Sequence, residues 1–254
     1  MFREERHKHI LDLLNKYGKV LVKDLELQFR VGKSMIRKDL QSLEKENLLK
    51  RTYGGAIKKE WITINEENLL KLEGNRDELK KNIAEKVCKQ INEYDRIFLD
   101  ASSISSIIVK LLLKSNKKIT LITNMVTIAS MIPKHSQIHI IFIGGDYNPI
   151  VGGNIGTYAV EQIKLYRCNK AFIGCSGIDL IDGGISASMS EDANAKKIIL
   201  SIAKESYLMV LNEGFNQNGT FIFSNIVDFD GIITEVLPDN AIINSLKKYN
   251  VDLL

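Results

Sequence analysis

The chain has 254 residues, of which 44% are apolar and 26% charged, and a formal net charge of +4. This length and apolar share fit one large or two unequal globular domains and exclude a disordered or fibrous chain. No run reaches the ~18 apolar residues that a bilayer-spanning helix needs. The three cysteines (Cys88, Cys168, Cys175) lack the CxxC spacing of a zinc site, and their odd number does not suggest a disulfide framework.

The opening residues, MFREERHKHI, are charged from residue 3 and carry no apolar signal core, so a cytoplasmic protein is expected. Charge is unevenly divided. Residues 1–60 hold 15 Lys/Arg against 9 Asp/Glu, whereas the remainder holds 20 against 22. A basic front on a near-neutral body suits a nucleic-acid-binding head joined to a domain with another task.

The spacing predicts a first helix over 2–17, with Ile10 and Leu14 one turn apart and Gly18 ending it. A second short helix is expected over 22–29, where Val22, Leu25 and Phe29 share a face. Arg30–Val31–Gly32–Lys33 forms the turn that follows. Residues 30–57 then read as an exposed helix and a basic hairpin. Ile36, Leu40 and Leu43 fall at i, i+4 and i+7 and form one buried stripe. Ser34, Lys38, Gln41 and Lys45 fall on the opposite face, with Met35 and Arg37 on its flanks. Cationic and amide groups on such a face suit phosphates and base edges in a major groove. After Asn47 the run Leu48–Gly55 leads through Lys50, Arg51 and Tyr53 into a glycine pair suited to a tight turn. The outline is a winged helix-turn-helix. Taken alone, the stretch also fits an ordinary amphipathic helix with a solvated charged face.

Residues 58–75 read as a linker, with Trp61 as its packing anchor. The body, 76–254, shows another rhythm. A helix at 76–92 precedes the apolar run 97–100. Further strands are expected at 119–123, 138–145, 170–177, 207–211 and 231–235. Helical patterns at 103–114, 124–132, 154–165 and 190–204 separate the earlier ones. This alternation predicts an α/β domain with a mostly parallel sheet, and ligands on such sheets sit at the carboxyl ends of the strands. Five polar or glycine-rich groups fall at those ends: Asp100 with Ser102 and Ser103, Thr123 with Asn124, Gly144 with Gly145, Gly174 with Gly177, and Asn212 with Glu213. Together they mark a candidate small-molecule pocket. His7 and His9, two apart on one helix, cannot converge on a metal, and His135 and His139 lack supporting ligands. No metal or cofactor is expected.

The chain resembles DeoR-type transcriptional regulators from end to end. In the head, VGKSMIRKDLQSLEKENLLKRTYGGA follows that family's V-S-x-x-T-I-R-R-D-L and Arg-x-x-Gly-Gly pattern, with agreement at Ile36, Arg37, Asp39, Leu40, Arg51, Gly54 and Gly55. In the body FLDASS, LITN, FIGG, KAFIGCSGID, the Glu191–Lys196 region and IITE match in order. The resemblance implies a winged-helix DNA reader joined to a sensor with the fold of sugar-phosphate isomerases. It further implies double-stranded operator DNA as partner, a phosphorylated sugar as effector, and assembly as a homodimer or homotetramer. The DNA-contacting residues would be Lys33, Ser34, Met35, Arg37, Lys38, Gln41, Lys50, Arg51 and Tyr53. The sensor site would draw on the five groups above with Glu191 and Lys196.

The departures are specific. Gly32 and Met35 stand at the family's Ser and Thr positions. Asp100–Ala101–Ser102–Ser103 lacks the family's glycine, Met189 replaces an aspartate near Glu191, and Phe215 replaces a lysine expected to meet an anion. A site without that cation, and with Glu213 beside it, is expected to bind phosphate weakly. The alternative to a regulator is a sugar-phosphate isomerase or hydrolase, for which Asp100, Glu191 and Lys196 are the candidate groups.

Overall fold

The computed structural model describes residues 3–17, 19–29, 31–46, 48–52, 55–58 and 66–254. The helix stop at Gly18, Tyr53 and Gly54 of the wing, the Lys50 side chain and the anchor Trp61 lie outside the described residues. The chain divides into two compact units, Met1–Gly74 and Asn75–Leu254.

The first unit runs α1 (Arg3–Tyr17), β1 (Lys19–Leu21), α2 (Val22–Phe29), α3 (Lys33–Lys45), β2 (Leu49–Thr52) and β3 (Gly55–Lys58). The apolar stripe read from the sequence does close the core: Ile36, Leu40 and Leu43 of α3 are buried with Ile10 and Leu14 of α1 and Leu25 and Phe29 of α2. The hairpin β2–β3 is antiparallel, and β1 adds to its free edge, pairing Leu21 with Gly55. β1 was not anticipated. Three residues carry too little alternation to read as a strand, and its stability comes from pairing across the sheet.

The second unit begins within α4 (Glu66–Gln90), which starts ten residues before the helix expected from the sequence. It continues with β4 (Arg96–Leu99), α5 (Ser103–Ser115), β5 (Ile119–Thr123), α6 (Val126–Met131) and β6 (Ile138–Phe142). Next come the short strands β7 (Asp146–Asn148) and β8 (Gly153–Ile155), α7 (Gly156–Ile163), β9 (Cys168–Gly174), β10 (Gly177–Ile178) and β11 (Gly184–Ala187). The chain closes with α8 (Ser190–Ile202), β12 (Ala203–Met209), β13 (Phe221–Asn225), β14 (Gly231–Ile233), α9 (Asn240–Leu246) and β15 (Asp252–Leu253).

Seven strands form a parallel sheet in the order β15-β14-β12-β9-β4-β5-β6. Its strands alternate between two apolar layers. Ile97, Leu99, Leu121 and Phe172 join the layer of α4, α5 and α6, whereas Phe98, Ile122, Ala171 and Ile173 join that of α7 and α8. Helices on both faces are what make these strands read as continuous apolar runs. The expected α/β architecture with a mostly parallel sheet is therefore present, with helices on both faces. The hairpin β7–β8 and the small antiparallel sheet β10-β11-β13 lie outside the main sheet's strand order. Their short, mixed-polarity strands gave no periodic signal.

Candidate DNA-reading face and sensor cleft

In the first unit, the side chains of Lys33, Ser34, Met35, Arg37, Lys38 and Gln41 on α3 are all exposed. They are free of core duty because Ile36, Leu40 and Leu43 carry it. Asp39 on the same helix turns inward. Its carboxylate, 3% exposed, accepts hydrogen bonds from Arg6 of α1 at 2.8 and 3.1 Å and lies 3.2 Å from the His7 ring. That bond to Asp39 holds the Arg6 guanidinium above the ordinary arginine value. The pair locks α3 against α1 and sets the angle of the outer face. Two of the expected cations are partly engaged. Arg51 sits 3.0 Å from Glu44, and Lys33 lies 3.7 Å from Glu26.

The start of α3 is bare. Gly32 occupies the N-cap with φ −65° and ψ 154°, and no side chain caps the helix. A Cβ there would meet nothing within 4 Å. Gly32→Ser is expected to raise the melting temperature of this unit by several degrees, from about 0.5–1 kcal/mol of capping and reduced unfolded-state freedom. A thermal melt showing no gain would contradict the cap geometry.

In the second unit a cleft of about 490 Å³ opens at the carboxyl ends of β4, β5, β9 and β12. Ser102 and Ser103 line it from the loop after β4, Gly174, Cys175 and Ser176 from the end of β9, and Asp192 and Lys196 from α8. The tip of the β7–β8 hairpin, Pro149–Gly152, forms another wall. At the base, the Lys196 ammonium donates to Asp100 and lies 3.5 Å from Asp192. Asp100 also accepts from the backbone N–H of Gly174 at 2.9 Å. A Cβ on Gly174 would come within 2.8 Å of the Ser102 Cβ, so glycine lets β9 approach that loop. Burial works against the Lys196 charge, but Asp100 and Asp192 outweigh it and hold the ammonium above the ordinary lysine value. Burial pushes Asp192 up, with Lys196 opposing.

Of the residues expected at a pocket, Ser102, Ser103, Gly174, Lys196 and Glu213 line the cleft, with Asp100 bonded to Lys196 at its base. The others stand elsewhere. Thr123 and Asn124 are buried beneath the hairpin. The Thr123 hydroxyl accepts from the Met125 N–H, and the Asn124 amide donates to the Asn154 carbonyl at 2.9 Å. Gly144 donates its N–H to Gln162, and Gly145, at φ +138°, packs on Ala159. Gly177 passes so close to the Gln217 carbonyl that a Cβ would lie 1.9 Å away. Asn212 donates its N–H to Glu235 at 3.0 Å. Glu191 is exposed in a separate groove with Thr157, Asn194 and Lys197. The Ser190 hydroxyl holds its carboxyl below the usual value.

Asp192 was missed by the sequence reading, although it lies four residues before Lys196, the spacing of helical ion pairs. Lys80, Ser188 and the loop 149–152 were missed as well, since nothing local marks them. Phe215 is buried in the core, while Glu213 lines the cleft and pairs with Arg76.

Burial raises the thiols of Cys88 to about 11 and of Cys168 and Cys175 to about 12, and the Tyr207 hydroxyl to about 12. Above pH ~9 the unfolded chain therefore releases protons that the folded unit retains, and stability falls as pH rises toward 12. The melting temperature is expected to drop steadily between about pH 8.5 and pH 10.5. A flat profile would contradict these environments.

Residues 6–60 match the DeoR-like helix-turn-helix domain, and residues 75–236 match the DeoR C-terminal sensor domain. The chain is 27% identical to the HTH-type transcriptional repressor GlcR of Bacillus subtilis (strain 168), across 100% of this chain and 96% of that protein. It is 26% identical to the glycerol-3-phosphate regulon repressor of Escherichia coli (strain K12), across 100% and 99%. Against the lactose phosphotransferase system repressor of Lactococcus lactis subsp. lactis it is 27% identical, across 92% of each. Among solved structures, ribose 5-phosphate isomerase A from Methanocaldococcus jannaschii aligns with TM-score 0.40 and 14% identity, covering 56% of this chain and 55% of that one. With a helix-turn-helix match over its head and a sensor-domain match over most of its body, the chain belongs to the DeoR family of transcriptional regulators.

Proposed function

We propose that this protein represses a carbohydrate-metabolism or transport operon, reading operator DNA with α3 and the wing and responding to a small hydroxylated ligand in the sensor cleft. The observation that carries the DNA reading is the outer face of α3. Ser34, Arg37, Lys38 and Gln41 all stand exposed on a helix whose core side is fully occupied. Such a face supplies the donors that phosphates and purine edges accept. A homodimer or homotetramer belongs to the same reading, because paired heads bind half-sites about one helical turn apart. The test is enrichment from a random duplex library with the full chain. A two-fold symmetric motif supports the reading, and failure to enrich any motif overturns it.

For the effector, the relatives' names point to glycerol 3-phosphate and to phosphotransferase sugars. Those names are properties of the relatives, and the residues here favour a less anionic ligand. Of the two lysines lining the cleft, Lys196 is held between two carboxylates and Lys80 lies 3.9 Å from Asp77. Hydroxyls of Ser102, Ser103, Ser176 and Ser188 line the same space. They suit sugar hydroxyls, whereas a phosphate would find Lys196 already held by two carboxylates. Thermal shift against matched sugars with and without phosphate checks this. Larger shifts from the unphosphorylated members are expected, and a micromolar sugar phosphate would overturn the reading.

The enzyme alternative finds little support in the geometry. Glu191 lines a groove apart from the cleft lined by Lys196, the partner of Asp100. An ammonium held above its ordinary pKa is a poor base near neutrality.

A further inference from the structure

Met35 is the exposed large apolar side chain on α3, 46% accessible, and it is not among the side chains packed on the unit's core. Leu21, Leu27 and Leu48 are exposed in the same unit, but none of them lies on α3. Met35 falls in the first turn of α3, next to Ser34 and two residues before Arg37. Side chains on a helix lean toward its N-terminus. In a helix-turn-helix, that end of the second helix meets base edges. An unbranched thioether there can neither donate a hydrogen bond nor neutralise a phosphate, so it gains nothing from the backbone. The major groove offers one apolar feature, the C5-methyl group of thymine.

We propose that Met35 is a specificity-determining residue that packs on a thymine methyl in each operator half-site. The inference rests on the DNA-reading role of α3 proposed above. Its side chain selects thymine over cytosine and uracil at one position, while Ser34, Arg37, Lys38 and Gln41 supply polar contacts to neighbouring bases and phosphates. Because Met35 carries no core packing, changing it alters sequence preference without unfolding the helix.

The test starts from the duplex motif enriched by the full chain from a random library. Each thymine of a half-site is replaced in turn by deoxyuridine, which deletes the methyl and nothing else. One replacement is expected to weaken wild-type binding on the order of fourfold, the worth of one buried methyl group. The same replacement should leave Met35→Ala unaffected, and Met35→Leu, which keeps an apolar side chain, should retain the sensitivity. The proposal is overturned if no deoxyuridine substitution weakens wild-type binding, or if Met35→Ala shows the same loss as wild type. Failure to enrich any motif would instead remove the DNA-reading role itself, so the two failures are distinguishable.

Discussion

Asp39→Ala is expected to destabilise the DNA-binding unit by about 3–5 kcal/mol, although its carboxylate turns inward, away from the outer face of α3. The substitution leaves the Arg6 guanidinium buried at 6% exposure without the carboxylate that binds it through two hydrogen bonds. A unit of this size commands roughly 4–10 kcal/mol in all, so the loss removes most of its stability and operator binding with it. The part of a circular-dichroism melt that belongs to the DNA-binding unit should shift or vanish while the sensor transition persists. Replacing both partners, Arg6→Met with Asp39→Leu, should recover part of the loss, because the buried ion pair is then removed as a unit. A single-variant effect below about 1 kcal/mol would show that the pair does not lock α3 to α1.

Lys196→Met should cost the sensor a similar amount, about 3–5 kcal/mol, by leaving Asp100 and Asp192 facing each other without their common cation. This loss carries a pH signature. Burial already raises the Asp192 carboxyl, and without Lys196 nothing opposes that push. The folded variant then binds protons more tightly than the unfolded chain, so its deficit narrows as pH is lowered from 7 toward about 5. A deficit independent of pH would mean that lost packing, not stranded charge, is responsible. Either way the cleft geometry is at stake, because Asp100 also holds the Gly174 N–H that shapes the β9 end.

Much of this architecture is legible in the sequence. The stripe of Ile36, Leu40 and Leu43 specified both the core side of α3 and, by exclusion, its outer face. Runs such as 97–100 and 119–123 read as strands because helices cover them on both sides, which leaves no polar face to break the apolar signal. What escaped was set by long-range pairing. β1 exists because β3 offers it an edge, and the β7–β8 hairpin is seated by Asn124, whose amide donates to the Asn154 carbonyl of β8. The candidate site was half legible for the same reason. Sequence marks polar residues at strand ends but not the direction in which each side chain turns. Thus Asn124 faces the hairpin, Glu191 faces solvent, and the unremarked Asp192 turns inward beside Lys196.

The central claim, that the outer face of α3 reads DNA, is tested most directly by Arg37→Ala combined with Lys38→Ala. Both side chains are exposed, so the melting temperature should be unchanged within about 0.5 kcal/mol of stability. Fluorescence anisotropy on the enriched duplex should show binding weakened by at least about a hundredfold. The slope of log affinity against log salt should also fall by about two, one for each phosphate-neutralising charge removed. Binding that survives with its original salt slope would contradict the assignment of α3 as the DNA-reading helix.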